Sequence, residues 1–222
     1  NIDISDVHSF VKGCCDACKI VDCVLIGGET AEMPSVYQQH HMDMVGTIVG
    51  KKLIHIDPIG VLVDDIAIGF SSSGPQTNGY TLIRKIMNSH EPPQHILNSL
   101  LNPHSSFLQH ILIINNLFTI SGMCHITGGG LTENLKRTIP NHLTIPLEEI
   151  MYPQWCQWLK EAGNLNDTTL RKTFNCGIGF FVFIRPKPNF YQLLNQTNLL
   201  MNSHGNNISP GKIIYLNKVI NL

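Results

Sequence analysis

Apolar and polar positions alternate along the chain at helical and strand spacings. Val7, Phe10, Val11, Cys14 and Cys18 form a helical stripe, and Ser5 stands where an N-cap belongs, so the spacing predicts a helix over residues 6–20. The short run Cys23-Val24-Leu25-Ile26 reads as a strand, and residues 42–50 read as another, with an extension through 51–56. Beyond Pro58-Ile59-Gly60 the pattern predicts strands at 65–70, 122–126, 142–145, 178–184 and 212–216. Helices are predicted over 78–87, 105–117, 131–138, 153–162 and 190–201, with a further short helix before Phe174. Pro92-Pro93 reads as a break. Strands alternating with helices give an α/β (α+β) class. Residues 1–56 form only part of an N-terminal α/β layer, and 57–222 form a complete C-terminal α/β domain.

Composition narrows the function. The 222 residues are 43% hydrophobic and carry a net charge of −1 without a basic block. Nucleic-acid binding is therefore not expected. No apolar run approaches the ~18 residues of a membrane span. Seven cysteines, an odd number, are expected in a reducing, cytoplasmic setting. Cys14, Cys15 and Cys18 resemble a metal cluster, but their helical spacing favours packing.

Three glycine corners carry the candidate chemistry: Gly27-Gly28, the loop 71–79, and Gly128-Gly129-Gly130. Glycine lets backbone N–H groups approach an anion, and a following helix N-terminus adds favourable partial charge. None is a P-loop, because no Gly-Lys-Ser/Thr follows. Glu29 and Glu32 adjoin the first corner. Two carboxylates beside a phosphate-binding turn need a cation between, and Mg²⁺ accepts such ligands together with phosphate oxygens. The alternative is that these glutamates cap a helix or pair with Arg84 or Arg137. His125 at a strand end reads as structural, and Cys176 as packing near a site.

The stretches "LIGGETAEMP", "SSSGPQTNGYTLIRKI", "HITGGGLTENL" and "TFNCGIG" occur in the order and rough spacing of one family. On these motifs the chain resembles phosphoribosylformylglycinamidine cyclo-ligase, also called aminoimidazole ribonucleotide synthetase, over essentially its whole length. The resemblance implies two α/β domains, ATP and Mg²⁺ as cofactors, a homodimer in the complete protein, and formylglycinamidine ribonucleotide as the small-molecule substrate. The formyl amide oxygen would be phosphorylated, and ring closure would follow. It implies substrate or phosphate contacts at Ser73, Gly74, Asn78, Gly79, Thr127, Gly128, Gly129, Gly130 and Asn175. It places Gly27, Gly28 and Thr30 on the nucleotide side and Glu29 and Glu32 at the metal.

Residues 1–56 would then be the end of the ATP-binding and dimerisation domain, and 57–222 the substrate-side domain. The chain also departs from the family. An Asp-Gly-Val-Gly-Thr-Lys motif, expected before Asn1, is nowhere in the sequence. Gln76 replaces a histidine, Ser105 replaces an arginine and Ser35 a glycine. Two readings follow: a cyclo-ligase whose remaining ATP-binding part is supplied elsewhere, or a non-catalytic remnant or interaction protein that keeps the fold.

Overall fold

The computed structural model describes residues 3–33, 35–38, 41–76, 78–203 and 213–221. The chain divides into two compact units, Asn1–Leu53 and Ile54–Leu222.

In the first unit, helix α1 spans Ile4–Ile20. Its N-cap is Asp3 rather than Ser5: the Asp3 carboxylate accepts from the Ser5 N–H at 2.8 Å. A carboxylate at that position also answers the positive end of the helix dipole, which a serine hydroxyl cannot. None of the α1 side chains is buried, and Phe10 and Val11 on the expected stripe are exposed. The strands expected at 23–26 and 42–50 do not form. A strand exists only when a neighbour accepts and donates along its backbone. Neither segment has such a ladder among the described residues, and Ile26 and Val45 are 95% and 94% exposed.

The second unit is built on a four-stranded sheet. Its strands are β1 (Ile66–Ser71), β2 (Ile120–His125), β4 (Ile178–Ile184) and β5 (Ile213–Lys218), in the order β2-β4-β1-β5. Every pairing is antiparallel. A two-stranded ladder joins β3 (Leu143–Thr144) to β6 (Ile220–Asn221), the latter not anticipated from the sequence. Lys212, where the last strand was expected to start, lies outside the described residues.

Period-two alternation feeds two cores. Ala67, Phe181 and Phe183 face a core shared with α2 (Tyr80–Met87), α3 (Gln94–Leu100), α5 (Gly130–Thr138), α6 (Gln154–Ala162) and α7 (Asp167–Thr173). Ile66, Ile68, Phe70, Val182 and Ile184 face the other, packed by α4 (Leu108–Leu117) and α8 (Phe190–Ser203). Helix α3 follows the Pro92-Pro93 pair that had read as a simple break. Pro93 is its N-cap, where a missing N–H costs nothing.

One buried charge ties the sheet to its approach loop. Asp65 is 1% exposed. Its Oδ2 accepts from the Ser121 hydroxyl at 2.6 Å, from the Leu62 N–H at 3.0 Å, and from the Arg185 guanidinium. Arg185 also donates to Gly60 O at 2.6 Å and Asp57 Oδ2 at 3.3 Å. The ends of β1, β2 and β4 are thus clamped to residues 57–62. Removing Asp65 would leave Arg185 without its buried partner. Asp65→Ala should therefore lower the unfolding free energy by about 3–5 kcal/mol, against about 1 kcal/mol for Ser121→Ala, measured by urea denaturation. Equal losses would show that the ion pair adds nothing beyond an ordinary hydrogen bond.

His110 in α4 packs on Phe70 at 5.6 Å, 7% exposed. Burial lowers its pKa, and a hydrogen bond with the Ser106 backbone partly opposes this. A histidine with a depressed folded-state pKa binds fewer protons folded than unfolded. Its contribution is whole above the unfolded pKa of about 6.5 and is lost as pH falls toward the folded value. The urea midpoint should drop between about pH 7.5 and pH 5.5, and His110→Leu should shallow that drop. An unchanged pH slope in the variant would exclude His110 as its source.

Candidate functional site

Because β4 runs antiparallel to both β1 and β2, three loops meet at one edge of the sheet. They are the exit of β1, the exit of β2 and the entry to β4, with Ser71 opposite Ile178 and His125 opposite Phe180. These loops carry Ser73, Gly74, Asn78, Gly79, Thr127, Gly128, Gly129, Gly130 and Asn175. The structure brings them onto one rim.

Asn175 holds two of the loops together. It is 1% exposed. Its Oδ1 accepts from the Ser72 hydroxyl at 3.2 Å and the Gly177 N–H at 2.8 Å, and its Nδ2 donates to Gly74 O at 2.8 Å. Its polar atoms therefore serve the loop, which makes Asn175 a positioning residue. Ser73 is tied the other way: its hydroxyl donates to Pro103 O, and its carbonyl accepts from Asn102 at 3.0 Å.

Asn134 does the same work for the triple-glycine turn. Its Nδ2 donates to Gly130 O at 2.7 Å and to the carbonyls of Thr127 and Gly128 at 3.2 Å each. The Thr127 hydroxyl donates to its Oδ1 at 3.3 Å. The sequence reading did not single out Asn134. Its only signal was an amide residue one turn after the glycines.

The glycines separate into two kinds. A Cβ at Gly79 would lie 2.3 Å from the Phe174 ring, and one at Gly130 2.4 Å from Arg171 O. Gly79 and Gly129 also have φ of +77° and +94° and cap α2 and α5 without a side-chain bond. These positions need glycine for the fold. Gly128 does not: it is exposed, and a Cβ there would meet only Asn78 Oδ1, at 3.7 Å. Asn78 in turn donates to Gln76 O at 2.8 Å. The starts of α2 and α5 therefore lie side by side, with a small exposed residue between them.

Two histidines sit near the same rim. His125 stacks on Phe180 at 5.7 Å and meets Phe107 edge-on at 6.3 Å. Loss of hydration lowers its pKa, and neighbouring His104 lowers it further. The pKa of His104 is lowered by burial. Both therefore favour the neutral ring. Gln76 is 1% exposed with φ of +54°, and its amide lies 2.9 Å from where a Cβ on Gly179 would be. This position points into the domain beneath the loop. Ser105 is half-buried ahead of Phe107. Cys176 is fully buried in the same core as Cys156, and its thiol donates to Phe174 O at 3.7 Å.

In the first unit Gly27, Gly28, Glu29, Thr30 and Glu32 lie along one exposed stretch. A Cβ at Gly27 or Gly28 would meet nothing within 4 Å. Packing among the described residues gives no reason for these glycines, and the same is true of Gly13, Gly46 and Gly50. Glu29 and Glu32 supply hard oxygen donors of the kind Mg²⁺ takes together with phosphate. They do not form a complete site: among the described residues no three His, Cys, Asp or Glu side chains gather around a metal position. An open depression of about 510 Å³ lies elsewhere, lined by Tyr152, Gln157, Lys160, Glu161, Asn164 and Leu165, and it contains no glycine corner. Among the described residues no helix is long and apolar enough to cross a membrane.

Comparison with known proteins identifies relatives of the chain. Residues 63–200 match the family described as AIR synthase related protein, C-terminal domain. The chain is 35% identical over 195 residues to a phosphoribosylformylglycinamidine cyclo-ligase of Cupriavidus pinatubonensis, covering 82% of this chain and 55% of that protein. It is 36% identical over 195 residues to the protein of that name in Neisseria gonorrhoeae, covering 82% of this chain and 57% of the relative. The chain thus spans just over half the length of these curated relatives. With residues 63–200, more than half of its length, matched, the chain belongs to the AIR synthase related family through that family's C-terminal domain.

Proposed function

We propose that this chain serves the ATP-dependent closure of formylglycinamidine ribonucleotide to aminoimidazole ribonucleotide, a ligase step of purine biosynthesis, and supplies the substrate-side wall of the site. The observation that carries the proposal is Gly128. It is exposed, packing does not require it, and it lies between the starts of α2 and α5, neither of which has a side-chain cap. Two helix N-termini present their positive dipole ends around a small residue, which suits a phosphate; the Gly130 and Leu131 N–H groups are themselves held by Thr127 O and Phe174 O. The ribose phosphate is assigned to Gly128, Gly129 and Gly130, with Asn78, Gly79 and Thr127 beside it. Ser73, Gly74 and Asn175 shape the loop.

The chemistry needs little from side chains acting as acids or bases. An amide oxygen is a poor leaving group, and phosphorylation turns it into a good one. The phosphoryl group comes from ATP, and ADP is released. The amidine nitrogen then attacks the formyl carbon, the C–O bond breaks, and phosphate leaves with that oxygen. The protein's share is to hold the two ends of the substrate close and to neutralise phosphate charge. Magnesium, when bound, would screen the nucleotide phosphates, with Glu29 and Glu32 as its ligands here and Gly27, Gly28 and Thr30 on the nucleotide side.

Residues 1–56 are read as the end of the ATP-binding and dimerisation domain, and 57–222 as the substrate-side domain. Pairing of two chains and a cytoplasmic setting belong to the same proposal and rest on the likeness to the ligases. The interior position of Gln76 supports an active protein over a remnant, since the exchange of histidine for glutamine falls beneath the rim.

The test separates binding from turnover. Calorimetry with formylglycinamidine ribonucleotide should show saturable binding to the 222-residue chain. Gly128→Glu places a negative charge at the cradle and should weaken it by about tenfold or more, about 1.4 kcal/mol, without moving the urea midpoint. With ATP and Mg²⁺ added, the chain alone should form little or no aminoimidazole ribonucleotide, because Glu29 and Glu32 are only part of a metal site. Unchanged affinity in Gly128→Glu would remove the phosphate assignment. Robust turnover would show that the chain completes the metal site itself.

A further inference from the structure

Cys14, Cys15, Cys18 and Cys23 fall around the C-terminal end of α1. The helix ends in a paired turn. The Cys23 N–H donates to Cys18 O at 2.9 Å and the Asp22 N–H to Lys19 O at 3.4 Å, with Asp22 at φ +53°. This is the 6→1 and 5→2 pattern of a Schellman motif, whose first and last side chains face each other. Here both facing positions are cysteine. Both residues are half-buried. Burial raises the pKa of Cys18, and the neighbouring Cys23 raises it further, with smaller contributions from Cys14 and Cys15.

The backbone geometry permits a covalent link. A Cα lies about 2.4 Å from its own carbonyl oxygen and about 1.5 Å from its own nitrogen. With the 2.9 Å bond between Cys23 N and Cys18 O, the two Cα atoms are at most about 6.8 Å apart, within the span a disulfide bridges. A metal would need more ligands, and among the described residues no three candidate side chains gather for one.

We propose that Cys18 and Cys23 form a redox-responsive disulfide site, closed by exchange with a small disulfide of the glutathione class. The Cys23 thiolate attacks one sulfur of the small disulfide, forming a mixed disulfide and releasing one small thiol. The Cys18 thiolate then attacks the Cys23 sulfur and expels the second. The two cysteine sulfurs are oxidised, the two sulfurs of the small disulfide are reduced, and the two cysteine protons end on the released thiols. The bridge clamps the turn and fixes the direction in which the chain leaves α1 toward Gly27 and Gly28. This site is independent of the ligase reading.

The test uses the full chain, oxidised glutathione, alkylation of remaining thiols, and trypsin. Lys19 lies between the two cysteines, so cleavage separates residues 13–19 from 20–51 unless a disulfide joins them. The joined pair should appear on oxidation and vanish on reduction, and fragmentation within residues 13–19 should assign the link to Cys18. It should be lost in Cys18→Ser and Cys23→Ser and persist in Cys14→Ser and Cys15→Ser. Hydrogen exchange of the Cys23 amide should slow on oxidation. Glutathione adducts without a bridge, a bridge through Cys14 or Cys15, or full alkylation of Cys18 and Cys23 after oxidation would each overturn the assignment.

Discussion

A single antiparallel strand organises the second unit. With β4 between β1 and β2 and opposed to both, the exits of its neighbours and its own entry must share one edge. The three loops that carry the glycine corner, the serine loop and Asn175 are therefore neighbours by topology. Asn175 and Asn134 then convert proximity into a defined rim through side chain to backbone bonds. Buried amides are suited to this, since each offers donors and an acceptor without the desolvation cost of a charge.

The same strand is the seam of two cores. Phe181 and Phe183 fill one side, Val182 and Ile184 the other, and all four are fully buried. Each such side chain contributes about 1.5–3 kcal/mol, so the strand that positions the rim is also the one hardest to displace. A rigid edge is what an electrostatic site requires, because donors that must first be organised lose much of their advantage. The Asp65–Arg185 cluster secures the opposite end of the sheet, where β1 begins and β4 ends.

Much of this unit was legible in the sequence. The run Ile178 to Ile184 and the stripe of α6 declared themselves because burial imposes period two or 3.6. Helix α3 was missed because Pro93 was read as a stop when it is a start. The antiparallel pairing, the β6 strand and the Asp65 cluster were not legible, since Asp65 finds Ser121 and Arg185 at separations of 56 and 120 residues. The strands expected in the first unit failed for the converse reason: Val24, Ile26, Val45 and Val49 have strand character, but a ladder needs a partner. For the site, glycine positions were readable, but not which glycines the fold demands. That distinction needs the neighbouring atoms, and it separates Gly79 and Gly130 from Gly128.

The central claim is that the starts of α2 and α5 form one phosphate cradle. Backbone amide shifts recorded while ribose 5-phosphate is added address it directly. Saturable shifts at Asn78, Gly79, Tyr80, Gly128, Gly129 and Gly130 are predicted, with one common dissociation constant. Shifts confined to the Tyr152 and Lys160 depression, or no saturable shift at the rim, would contradict it.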